Sequence, residues 1–102
     1  MRENLGRTGR GFASVRVAGD SMQPSLLHGD EIIIDRQVCR VDVSGIYVIA
    51  LRGDLLVKRI QRKLDGSLVV KSDNPAYEPE VIDASSAEEF RVVGRLVWPR
   101  VR

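Results

Sequence analysis

From Val15 onward, apolar residues fall in short runs rich in Val, Ile and Leu, and the runs are broken by Gly-Asp and Asp-Gly pairs. Such runs predict strands joined by turns, because β-branched side chains suit a pleated surface and Gly, Asp and Asn supply turn geometry. The expected strands are SVRVA (14–18), DEIIIDR (30–36), GIYVIALR (45–52), LLVKRIQRK (55–63), SLVVKSD (67–73) and RVVGRLVWPRV (91–101). RGD at 52–54 and LDGS at 64–67 are the strongest hairpin signals. MQPSLL (22–27) reads as a short helix or an irregular segment, since Pro24 is tolerated only in a first turn. ASSAEEF (84–90) reads as one helical turn capped by Ser85 or Ser86, and the two prolines of NPAYEPEVI (74–82) break any ladder there. Gly94 is placed at a bulge or bend of the last strand. The fold expected is mainly β: a small domain of twisted antiparallel sheets with little helix.

At 102 residues the chain holds one core, because two cores of this total length would each be marginal. Residues 1–14, MRENLGRTGRGFAS, carry three glycines and no periodic apolar face, so they are read as linker, with residues 15–102 as the domain. Hydrophobic residues make up 43% and charged residues 29%, a balance that argues against wholesale disorder. No apolar run approaches the length that spans a bilayer, and the basic N-terminus lacks the apolar stretch of a secretory signal, so a cytoplasmic domain without membrane association is expected. A single cysteine, Cys39, excludes an internal disulfide and leaves a thiolate zinc site without partners; it is expected to be a buried or half-buried structural thiol. His28 is the sole histidine and is assigned to a loop, so neither a metal nor a cofactor is expected. The net charge of +2 conceals basic ends, with Arg2, Arg7, Arg10 and Arg16 at one and Arg91, Arg95, Arg100 and Arg102 at the other. Without a reading helix between them, these arginines do not make the chain a reader of DNA.

One stretch is not absorbed by this pattern: VAGDSMQPSLLHGDEIIIDR, residues 17–36. Gly19 to Met22 form either an ordinary polar turn or a tight turn that presents Ser21 as a nucleophile. A serine hydroxyl needs an adjacent base, and lysine serves in that role elsewhere. On the strand LLVKRI, residues two apart share a face, so Lys58 stands between Leu56 and Ile60. An amine there either snorkels to water or is desolvated, which lowers its pKa and makes a neutral base available. Ser21 and Lys58 are the candidate catalytic pair, with the backbone amides of Asp20 and Ser21 as candidate donors to a developing oxyanion.

Four segments, VRVAGDSMQPSLLHGDEIIIDR, SGIYVIALRGDLLVKRIQR, GSLVVKSDNPAYEP and VVGRLVWPR, occur in this order, and together they resemble the C-terminal domain of LexA-like and phage-type repressors. That family of Ser-Lys self-cleaving peptidases includes UmuD, and the resemblance spans Val15 to Arg100. It implies Ser21 as nucleophile and Lys58 as general base, and it matches Asn74, Tyr77 and Pro79 to an S-x-N-x-x-Y-x-P loop whose role is to fix a turn near the site. It also implies a homodimer, joined by a linker to an N-terminal helix-turn-helix that contacts DNA, and a RecA-type filament as a possible trigger in an SOS or prophage setting. The chain holds no helix-turn-helix, so it is read as the C-terminal portion of a longer repressor.

Relatives that cleave themselves cut an Ala-Gly or Cys-Gly bond a few tens of residues before the serine. The sole Ala-Gly here, Ala18-Gly19, lies inside the motif and cannot reach its own nucleophile. The scissile bond therefore lies upstream of Met1, or the repressor is released by another route. Two rivals stand beside the autoproteolytic reading: a domain that only dimerises a DNA-binding partner, and a signal-peptidase-like serine protease, which would need a membrane anchor.

Overall fold

The side chains that each run turns to either side decide how the strands assemble. The computed structural model describes residues 6–9, 11–51, 53–86 and 90–101. Eight strands form: β1 (Gly6–Gly9), β2 (Phe12–Arg16), β3 (Glu31–Asp35), β4 (Gly45–Leu51), β5 (Asp54–Arg62), β6 (Leu68–Lys71), β7 (Glu80–Ile82) and β8 (Arg91–Trp98). They make one sheet in the order β1-β2-β3-β8-β4-β5-β6-β7, with every neighbouring pair antiparallel. Among the described residues there is no α-helix, so the fold is all-β, as the pattern predicts.

β4 is the spine. Its run Ile46, Tyr47, Val48 and Ile49 is buried on both faces, which is why it reads as continuously apolar. Ile46 and Val48 join a larger core with Val15, Met22, Leu26, Ile32, Ile34 and Val57. Tyr47 and Ile49 join a smaller core with Val41, Ile60 and Leu68. β5 keeps the same alternation, with Val57 in the larger core and Ile60 in the smaller one. Lys58 lies directly across from Tyr47, on the side of the smaller core.

The last strand is not an edge: β8 lies between β3 and β4. Its register shows why it is long: Arg91 to Arg95 pair with β4, whereas Arg95 to Trp98 pair with β3. Gly94 is the close approach that this arrangement needs, since a Cβ there would sit 2.8 Å from the carbonyl oxygen of Asp35. A bulge lies beside it, where the β4–β8 register slips between Val48 and Ile49.

Three local expectations differ from the structure. Part of the stretch read as linker forms strands: β1 pairs with β2, and Phe12 and Ala13 pair with Asp35 and Ile34 of β3. Glycine-rich composition hides a strand that is held by ladder hydrogen bonds and by one buried side chain, Ala13. β7 lies in the segment expected to be irregular, because both prolines precede it and Glu80 to Ile82 are free to pair with β6. Cys39 is exposed, on the loop between β3 and β4, and is not the buried thiol expected. MQPSLL makes a single turn closed by Leu26 N–H donating to Met22 O at 2.9 Å, whereas the turn expected at 84–90 lies partly outside the described residues.

Candidate active site

The chain leaves β2 through Gly19, whose φ of 84° lies in the left-handed region that side-chain-bearing residues avoid. The loop base is closed by Val17 N–H donating to Asp30 O and Gly29 N–H donating to Val17 O, each at 2.8 Å. His28, assigned to loop decoration from sequence, accepts a hydrogen bond from Gly19 N–H at its Nδ1, 2.9 Å away. Beyond Ser21, Met22 and Leu26 are each 1% exposed within the larger core. Half-buried Ser21 is thus held between a clasped glycine and a buried methionine, which is a fixed position for a hydroxyl.

A second loop grips this turn. Asn74 N–H donates to Ser21 O at 2.9 Å, Asn74 Nδ2 donates to Asp20 O at 3.0 Å, and Tyr77 Oη donates to Asp20 Oδ1 at 2.5 Å. The Asp20 carboxylate, by accepting that bond, holds the Tyr77 phenol above its ordinary pKa. Because carbonyl and N–H point oppositely across a trans peptide, an Asp20 carbonyl turned to Asn74 directs the Ser21 N–H away from it. The amides of Asp20 and Ser21, the expected oxyanion donors, enter no hydrogen bond among the described residues.

Lys58 reaches the same loop from β5. Arg59 pairs with Lys71 of β6, so continuing the antiparallel register puts Ser72 opposite Lys58. Lys58 Nζ donates to Ser72 Oγ at 2.7 Å and lies 5.8 Å from the centre of the Tyr77 ring. Burial pushes the lysine pKa down, opposed by the charge of Glu80. On the other face of β5, Arg59 grips Asp73 with two hydrogen bonds of 2.7 and 2.8 Å, which fixes the start of the loop. That guanidinium holds the Asp73 carboxyl below its usual range.

Ser21 and Lys58 therefore lie against one loop, residues 72–77, which touches both. No hydrogen bond joins Ser21 to Lys58 among the described residues; the amine donates to Ser72. Residues named for the turn behave accordingly, since Asn74 and Tyr77 both clasp the serine turn. Sequence reasoning placed Ser72 only as the first residue of the loop motif and missed its contact with Lys58 and the Arg59–Asp73 clamp. The signal for Ser72 was present: counting back from the LDGS hairpin places residue 72 across from residue 58. Chemically, the arrangement joins a half-desolvated amine, a positioned hydroxyl and two uncommitted amides, the parts that acyl transfer from a peptide bond needs.

The sequence profile of the family described as Peptidase S24-like matches residues 1–97. Similar proteins include the 26 kDa repressor protein of Escherichia phage HK022, 33% identical over 92 residues, which cover 90% of this chain and 39% of that protein. The repressor protein CI of Enterobacteria phage phi80 is 31% identical over 91 residues, covering 88% and 37%. LexA repressor 1 of Nocardia farcinica is 35% identical over 97 residues, covering 94% and 41%. The chain thus spans about two-fifths of the length of these relatives.

Proposed function

The chain belongs to the Peptidase S24-like family, and on that premise we propose that it is the C-terminal regulatory domain of a prophage-type or SOS-type repressor, joining two copies and cleaving its own linker through Ser21 and Lys58. The observation that carries this reading is the shared loop: residues 72–77 hold the Ser21 turn through Asn74 and Tyr77 and hold the Lys58 amine through Ser72. In the proposed step the neutral Lys58 amine takes the Ser21 proton while Oγ attacks the scissile carbonyl. The amides of Asp20 and Ser21 receive the oxyanion, and the protonated amine returns its proton to the leaving nitrogen as the C–N bond breaks; water, deprotonated by the same amine, then hydrolyses the ester on Ser21 and frees the upstream segment. DNA contact belongs to an N-terminal helix-turn-helix, and cleavage would separate it from this domain.

A dimerisation-only domain is the second reading, favoured by apolar side chains at the end of β8: Val97 is 44% exposed and Trp98 60%. The two readings separate under a fluorophosphonate, which forms a covalent bond from phosphorus to an activated serine oxygen and expels fluoride. The peptidase reading predicts an adduct on Ser21, found by mass spectrometry, that increases with pH and is absent in Lys58→Met. A Ser21 that stays unmodified up to pH 10 would leave only the dimerisation role.

A further inference from the structure

The Lys58 amine has a partner that the two-residue chemistry does not use. Ser72 Oγ lies 2.7 Å from Nζ and is the side-chain acceptor of that amine. Its location is determined from two sides. The β5–β6 register sets it across from Lys58, and its neighbour Asp73 is locked by two hydrogen bonds to Arg59 on the opposite face. Ser72 is therefore held in place by the sheet, and the flexible lysine comes to it.

We propose that Ser72 is a positioning residue for Lys58, an acceptor that takes one amine hydrogen and so turns the nitrogen lone pair toward the Ser21 turn. A neutral amine has two hydrogens and one lone pair in tetrahedral array. Rotation about the terminal C–N bond is nearly free unless a hydrogen is anchored, and an unanchored lone pair spends little time facing a given hydroxyl. Anchoring one hydrogen on Ser72 restricts that rotation. The Tyr77 ring also faces the amine, its centre 5.8 Å from Nζ. This inference rests on Lys58 acting as the base.

The bond has a second consequence, with opposite sign for rate and for titration. An acceptor favours the charged amine over the neutral one, so Ser72 raises the lysine pKa against the effect of burial. Glu80 acts in the same direction through its charge. The other titratable groups around the amine are Tyr47 across β4, Tyr77, and Asp20 through its bond to Tyr77. Each of these is retained when Ser72 alone is changed.

The test uses this chain with Ser72→Ala and Ser72→Thr. Titration of the Lys58 side chain by NMR is followed alongside the pH profile of Ser21 modification by a fluorophosphonate. In Ser72→Ala the Lys58 midpoint is expected to fall by on the order of one pH unit. The plateau rate of modification at high pH is expected to fall about tenfold as orientation is lost. Ser72→Thr, which keeps a hydroxyl, restores both. A purely structural serine would leave the midpoint in place, so an unchanged Lys58 titration in Ser72→Ala overturns the proposal. The NMR titration needs no reactive Ser21: a wild-type protein without adduct but with a shifted midpoint in Ser72→Ala would refute the peptidase reading and retain Ser72 as the amine's anchor.

Discussion

Asp73 shows how a single side chain ties stability to the site. Its side chain is 11% exposed, and both its oxygens accept from Arg59. Its carboxyl is held below the unfolded value near 4 chiefly by that hydrogen bond, so it contributes stability above about pH 4 that is lost as pH falls through the lower folded value. Asp73→Asn is therefore expected to cost about 1–2 kcal/mol at neutral pH and to flatten the acid limb of the stability curve, measured as urea midpoints from pH 7 to pH 2. An acid limb as steep as in the wild type would detach Asp73 from this account. Lys58 carries the opposite sign: its lowered pKa makes the charged amine a cost below the folded value, relieved as pH rises through it. The proposed base is thus not a residue on which the fold depends.

Among the elements, β8 is the most sensitive, because it carries the sheet from β3 to β4 and β3 crowds Gly94. A Cβ at that position meets the Asp35 carbonyl at 2.8 Å and Ile34 Cδ1 at 2.9 Å, and the carbonyl cannot yield without moving β3. Gly94→Ala is expected to destabilise by about 1–3 kcal/mol in chemical denaturation; a variant as stable as the wild type would show that β8 and β3 lie farther apart. The strands from β3 to β6 and the two hairpin turns were legible because each run alternates or is wholly apolar and each turn has its glycine. What composition concealed is a matter of pairing. β1 owes its structure to hydrogen bonds with β2, and the start of β2 to hydrogen bonds with β1 and β3, which leave no apolar period in GRTGRGFA. The placement of β8 inside the sheet was hidden for the same reason, since an apolar run does not reveal which strands flank it. Within the site, Ser21, Lys58, Asn74 and Tyr77 were legible as motif residues. Ser72 was legible as the first residue of the same loop motif, but its bond to Lys58 was not, because that follows from the β5–β6 register.

At the scale of the molecule, the β5–β6 hairpin and the Ser21 loop after β2 meet at the 72–77 loop, and the two cores on either side of the sheet keep them there. A self-cleaving repressor needs such a preformed site that stays quiet until the base is neutral and the linker is presented. Burial provides the first condition in part, since it lowers the Lys58 pKa from the ordinary lysine value. The measurement that bears most directly on this account is the pH profile of cleavage of the full-length gene product, followed by mass spectrometry of its fragments. The account predicts a single cut at an Ala-Gly or Cys-Gly bond ahead of this domain, at a rate that climbs steadily with pH into the alkaline range. Ser21→Ala and Lys58→Ala should abolish the cut while the domain stays folded. A full-length protein that carries such a bond and stays intact at high pH, with and without a RecA-type filament, would contradict it.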